Sequence, residues 1–376
     1  MKSRLLIWVG ALAAGTGLAT APLSGQSIVR GEGPDMTIDA ATRQTVVAAV
    51  LALLKSDYVY PETAEKMVEA IRGHAAAGKY DAITSAKVLA RRLTTDLRDI
   101  CHDKHLRVRY SAEVLPAETG HEQPTRLDLS KMRDEMAREN FGFEKVERLD
   151  GNVGYLDLRG FVPASVAGET AAAAMNFLAH TDALIIDLRQ NGGGNPDMVA
   201  LLCSYLFPPG DPVHLNDLYF RPENVTHQWW TQPFVPGPRY VDKPVYVLTS
   251  KYTFSGAEEC TYNLQCLKRA TIVGETTGGG AHPGGFKRVH DHFGVWVPQG
   301  RAINPITKIN WEGTGVKPDV AAPASQALLT AHLAALDKLV AKNTDKVEQD
   351  QLKRIKTRVQ KQLDAQKSRS SDKAKD

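Results

Sequence analysis

Between residues 38 and 101 the apolar positions fall on one side of a 3.6-residue repeat. Val46, Val47, Val50, Leu51 and Leu54 define one face. Ala64, Met67, Val68 and Ile71 define a second, behind Pro61, and Val88, Leu89, Leu93, Leu97 and Ile100 define a third from about Ser85. Each face predicts an amphipathic helix, and without a strand signal among them the three make a small bundle over residues 38–111. The alternation Leu106, Val108, Tyr110 predicts a strand leaving that bundle.

Residues 112–150 are polar, carry Pro116 and Pro124, and read as a linker with one short helix. From 151 the pattern changes to short apolar runs alternating with helical segments. Strands are expected at 153–158, 183–188, 245–248 and 270–273, and helices at 166–180, 197–206 and 255–267. Apolar strands alternating with helices predict an α/β core over 151–325 with a parallel sheet covered on both faces. Beyond 326 the stripe Leu328, Leu329, Leu333, Leu336, Leu339, Val340 predicts a helix that grades into a charged, solvated tail ending at 376. A coiled-coil or partner-binding role for that tail is the other reading.

The first 25 residues have the grammar of an export signal: Lys2 and Arg4, an apolar run from Leu5 to Ala19, then small residues. The run is about 15 residues, below the ~20 that span a bilayer. Export to the periplasm or the exterior is therefore expected, a retained anchor being the alternative; the segment has no cysteine for lipid attachment. Four cysteines in 376 residues make no disulfide framework. The net charge is +3, yet residues 337–376 hold 12 Lys/Arg against 7 Asp/Glu, so the body before them is mildly acidic. Such a body gives no case for a nucleic-acid groove, and oligomeric state is left open.

In an open parallel sheet, functional groups gather beyond the C-terminal strand ends. Two segments fall there. Gly192, Gly193 and Gly194 follow Asp187–Asn191 and suit either an anion-binding nest of backbone N–H groups or a tight strand-to-helix turn. Ser255 stands where a strand-end loop meets a helix N-terminus, where the dipole favours an oxyanion. The same Ser255-Gly256-Ala257-Glu258 is also a capping box. There is no H-E-x-x-H and no G-x-S-x-G. His290 and His292 could share a strand face toward a metal, but they lack a third ligand, so no metal or other cofactor is expected.

Five segments occur in a telling order: LRDICHDKHLRVRYS, DLRQNGGG, TSKYTFSGAEE, IVGETTGGGA and NWEGTGVKPDV. Together they resemble the superfamily of tail-specific (C-terminal processing) peptidases, the tricorn core peptidase and interphotoreceptor retinoid-binding protein, over roughly residues 40–322. The resemblance is nearest to the retinoid-binding-protein-like branch. It implies a crotonase-like spiral ββα core behind a helical domain, with Ser255 as nucleophile. The tail-specific branch pairs this serine with a lysine 25 positions on, where this chain has Gly280. The tricorn-like branch uses a histidine base and a glutamate, and His105 and Glu312 match them. Tricorn also has a serine before its histidine, where this chain has Lys104; what orients His105 is open, with Asp103 a candidate. The backbone N–H of Gly256 with that of Gly193 or Gly194 would form the oxyanion hole.

Only about 40 residues separate Tyr110 from Asn152, too few for the PDZ module of tail-specific members, so recognition of C-termini is not implied. The aromatics Trp229, Trp230 and Phe234 could wall a substrate site or simply pack on the core. The expected activity is hydrolysis of peptides or unfolded protein segments by a serine endopeptidase or C-terminal processing-like peptidase. The rival is a carrier of apolar ligands on the same fold.

Overall fold

The computed structural model describes residues 33–116 and 133–372. The expected export signal at 1–25 lies outside them, as does the middle of the expected linker.

Three helices open the fold: α1 (Ala40–Asp57), α2 (Pro61–Ala76) and α3 (Ala86–Cys101). Asp39 and Ser85 cap α1 and α3 by accepting from the backbone N–H of Thr42 and Val88, and Pro61 opens α2. His102 ends α3 in the left-handed conformation, φ 56°. The chain then turns through residues 103–106 into β1 (Arg107–Tyr110).

The bundle does not close its core alone. β1 pairs antiparallel with β10 (Phe293–Pro298), which pairs with β9 (Gly284–His290), from the far end of the sequence. Phe293, Val295 and Val297 are fully buried among Leu54, Leu89, Leu93 and Leu106. Burial at roughly 25 cal/mol per Å² of apolar surface is the main force seating bundle on core.

The central sheet has six strands in the order β12-β8-β7-β4-β3-β2: β2 (Phe143–Leu149), β3 (Val153–Leu158), β4 (Ala183–Asp187), β7 (Val245–Thr249), β8 (Thr271–Gly274) and β12 (Val320–Ala321). All neighbours are parallel except β2, which lies antiparallel to β3. Every residue of β3, β4 and β7 is buried, as strands covered on both faces require. One face is covered by α4 (Ala164–Leu178), α5 (Pro196–Ser204) and α6 (Gly256–Cys266), the other by α7 (Ala327–Lys342). A third sheet, β11-β5-β6, joins β5 (His214–Phe220), β6 (Val225–Trp230) and β11 (Gly300–Ile303).

Two segments differ from expectation. The part of the 112–150 stretch from 143 onward is not linker but edge strand β2; its half-exposed alternation is weaker than that of the buried strands. The charged tail folds as α8 (Lys346–Asp372) and packs back on α7. Leu352, Ile355, Val359 and Leu363 recur every three or four residues, and Val359 and Leu363 are buried against Leu333 and Leu336. Gln366 Nε2 donates to Ser325 O at 2.8 Å, and Arg358 reaches Asp150. A narrow stripe suffices because only one side of α8 meets protein.

Candidate active site

Ser255 lies in the loop that leaves the C-terminal end of β7, at the first turn of α6. Its backbone has φ 53° and ψ −124°, not the extended geometry in which a capping serine ordinarily sits. Neighbouring strands hold the loop in this shape. Thr253 Oγ1 donates to Leu188 O (2.8 Å), Phe254 N to Asn191 O (3.1 Å) and Gly278 N to Thr253 O (2.9 Å). Glu258, fully buried one turn into α6, accepts from Ser255 N (2.9 Å), Thr277 Oγ1 (2.5 Å), Gly279 N (2.6 Å) and Gly280 N (2.8 Å). Burial pushes its carboxyl up to about 7, and those four donors oppose the rise. Glu258 thus ties the serine loop to the glycine-rich loop 278–280.

The glycines after β4 close on the serine. A Cβ on Gly193, whose φ is 104°, would stand 2.7 Å from both Gly256 N and Ser255 Cβ, so only glycine fits there. Gly193 N donates to Asn191 Oδ1 at 2.8 Å, so this N–H is engaged by its own loop. Gly194 is the neighbour that faces Gly256: its N lies 3.0 Å from where a Gly256 Cβ would be. Of the two glycines expected to donate beside Gly256, Gly193 has its N–H engaged within its own loop, and Gly194 lies against Gly256.

His105 comes from the other side, on the turn between α3 and β1. Arg98 fixes that turn by donating through Nε to Leu106 O (2.7 Å) and through a second nitrogen to Lys104 O. Lys104 reaches across to Gly278 O and tethers the two loops. The His105 ring is buried, tilted 36° against Phe254 at 4.6 Å, and shares a cleft with Ser255, Gly194 and Gly256. Burial pushes its imidazole down to about 4.

Behind His105 lies a cluster that motif matching only half reveals. Asp103, 1% exposed, accepts the His105 backbone N–H at 2.9 Å, with the same oxygen 3.9 Å from His105 Nδ1. Its other oxygen accepts from His282 Nδ1 (2.7 Å) and Tyr58 OH (3.4 Å). His282 Nδ1 also stands 3.5 Å from Glu312 Oε2, which accepts from Ala281 N at 2.6 Å. Burial works against both charges of the Asp103–His282 pair, yet their hydrogen bond and attraction win: Asp103 is held below the usual carboxylate range and His282 above the usual histidine value. Glu312 is pushed up to about 7 by burial and by Asp103. The motifs pointed to Asp103 and Glu312; the link between them, His282, carried no pattern beyond following a run of glycines.

Asp103, His105 and Glu312 each offer a ligand atom within 4.8 Å of the others, a donor set that could take a cation. Both oxygens of Asp103 and one of Glu312 are already committed to protein donors, so the cluster is arranged as a charge network. His290 and His292 lie apart from it at the β9–β10 turn, where His292 Nδ1 is 3.0 Å from Ser111 O.

The cleft, about 530 Å³ including its open mouth, is walled by Leu218, Trp296, Ala302 and Trp311. Trp229, Trp230 and Phe234 are not among its lining residues. Trp229 Nε1 donates to Asp197 (2.8 Å), Trp230 stacks on His214 at 4.0 Å, and Phe234 is 74% exposed. They sit on and beyond β6, whose alternation turns successive side chains to opposite faces. Trp296 and Trp311 take the wall positions instead.

Comparison with known proteins agrees with this architecture. The description of peptidase family S41 matches residues 152–322, and that of the N-terminal domain of the family in eukaryotic IRBP matches residues 39–141. Among solved structures, a lipoprotein from Streptococcus agalactiae is 13% identical with a TM-score of 0.52, the match covering 78% of this chain and 96% of that one. A candidate peptidase from Parabacteroides merdae is 18% identical with a TM-score of 0.50, covering 75% and 90%. These likenesses speak for the fold. No helix among the described residues is long and apolar enough to cross a membrane. With both parts of the family matched in order along the chain, and the helical domain seated on the α/β core they describe, this protein belongs to peptidase family S41, a family of serine peptidases.

Proposed function

We propose that the chain is an exported peptidase in which Ser255 is the nucleophile, His105 the base and Glu312 a supporting acid. The observation that carries this reading is the meeting, in one cleft, of a serine in a strained helix-start conformation, a buried imidazole, and the paired backbone nitrogens of Gly194 and Gly256.

A serine hydroxyl needs a base at neutral pH. His105, held neutral, has its Nδ1 edge toward Asp103, which leaves Nε2 as the nitrogen for the cleft. As Ser255 Oγ adds to the substrate carbonyl, its proton passes to His105, and the carbonyl oxygen becomes an oxyanion held by the Gly194 and Gly256 N–H groups. One such donor is typically worth about 10²–10³ in rate. The imidazolium forms beside anionic Asp103, whose charge offsets the cost of burying it. His105 then protonates the leaving amine, and water repeats the sequence on the acyl-enzyme. Glu312, joined to Asp103 through His282, bears on the charge of that pair without touching the reacting atoms.

The test is labelling with an alkyl fluorophosphonate. Adduct on Ser255, absent in Ser255→Ala and at least about 10²-fold slower in His105→Ala, supports the assignment. Absence of adduct in the wild type, with saturable binding of a fluorescent fatty acid, would favour the carrier.

A further inference from the structure

The wall of the cleft beside Ser255 contains a second carboxyl that the reaction does not use. Glu259 follows Glu258 in α6 but faces the cleft; it is 5% exposed. Its Oε1 meets no hydrogen-bond partner, and the same holds for Nδ2 and Oδ1 of Asn216, a fully buried residue of β5. The two side chains are neighbours, since the Asn216 amide moderates the Glu259 carboxyl. The Asp197 carboxylate, at the start of α5, adds negative charge to the same place. Buried polar groups are ordinarily satisfied, and each orphan is costly. Glu259 Oε1, which borders the cleft, and the Asn216 amide behind it are therefore unmatched in the free protein, and a cation entering the cleft would pair with Glu259 and favour its ionised form.

The approach to them is apolar. Leu218, Ala302 and Trp311 line the cleft beside Glu259, a surface suited to the methylenes of a long side chain. Stem and floor together describe lysine or arginine: an aliphatic shaft that ends in several donors and a positive charge.

We propose that Glu259, with Asn216, is the specificity determinant of this cleft and selects a substrate with a cationic side chain next to the bond that Ser255 attacks. The inference rests on the peptidase reading above and goes beyond it by naming the substrate class. A leucine at that place would fill the shaft and leave the floor unpaired. A glutamate would set a third carboxyl against Glu259 and Asp197.

The experiment uses peptidyl diphenyl phosphonates of one sequence ending in Lys, Arg, Leu, Gln or Glu, with the adduct on Ser255 followed by mass spectrometry. Lys and Arg probes should react about 10²-fold faster than Leu, as expected when a buried polar group is matched or stranded. Glu259→Gln should collapse that ratio toward unity, and Glu259→Asp should retain part of it. Because each ratio is taken within one variant, it does not depend on the fraction of protein folded. Leu or Gln reacting fastest, or a ratio unmoved by Glu259→Gln, overturns the inference while leaving the nucleophile assignment standing. No adduct from any probe, including the alkyl fluorophosphonate, removes the peptidase reading and this inference with it.

Discussion

The rings of Phe254 and His105 together occupy the space a side chain at position 280 would need. A Cβ on Gly280 would stand 2.7 Å from His105 Cε1 and 2.2 Å from Phe254 Cζ. In the tail-specific pattern a lysine stands at this position and the base comes from the core. Here the position is glycine, and the rings of Phe254 and His105 crowd it. A side chain at 280 and the present positions of these two rings cannot coexist without a shift of one or the other.

That relationship makes Gly280→Ala informative. The added methyl must displace His105 or Phe254, and a displacement near 1 Å in a catalytic group can cost about 10² in rate. Labelling of Ser255 should slow by that order while the far-ultraviolet circular dichroism stays native. Wild-type labelling would show that the ring has room to spare and is not held where the base must be.

The acid limb of activity should lie unusually low. His105 accepts a proton only when neutral, and burial holds it down to about 4 against an ordinary 6.5. The second-order rate of the free enzyme should rise with pH through about 4 and be level on this account by 6.5. A midpoint at or above 6.5 would reject His105 as the base or its burial as the controlling influence.

Stability should have the opposite slope. Glu258 and Glu312 are pushed up to about 7 and Glu259 to about 8, all by burial first. A group whose folded value is raised stabilises below its unfolded value, near 4.5, and loses that contribution as pH climbs through the folded one. His105 and His332, both pushed down by burial, work in the reverse sense below about 6.5, while His282, held up by Asp103, works with the three carboxyls. The melting temperature should therefore fall by several degrees from pH 5.5 to pH 8.5. A flat or rising profile would show these carboxyls ionised in the folded chain at neutral pH.

Asp103→Asn should be structural as well as catalytic. It leaves His282 buried with its ion-pair partner gone, a loss that typically costs about 3–5 kcal/mol. Urea unfolding would measure it, and a change under ~1 kcal/mol would mean that the pair is not charged. Glu312→Gln keeps the Asp103–His282 bond and should lower turnover without comparable loss of stability; unchanged turnover rejects a supporting role for Glu312.

Removing α8 by ending the chain after residue 345 should uncover Leu333 and Leu336, which it buries with Val359 and Leu363. At roughly 1.5–3 kcal/mol for each fully buried aliphatic side chain, the melting temperature should drop by several degrees. An unmoved melting curve would restore the view of this segment as a solvated tail.

The α/β core was legible because its strands are buried on both faces and therefore read as unbroken apolar runs. Ser255 and His105 were reached through motif order, since locally the one is a capping serine and the other a lone histidine beside a strand. What stayed hidden lies where one side of an element meets solvent: β2, the β5–β6 and β9–β10 hairpins, and α8 with its thin stripe. His282 stayed hidden for another reason. Its meaning depends on Asp103, 179 residues earlier, and nothing in the local pattern of either residue announces the pairing.

The pairing of β1 with β10 joins residues 107–110 to 293–296. His105, Ser255 and Glu312 are therefore far apart along the polypeptide and are brought near one another by the seating of the helical domain on the core. A nascent chain would carry Ser255 and His105 on separate unfinished pieces. The Ser255 cleft is therefore complete only where the helical domain is seated on the core.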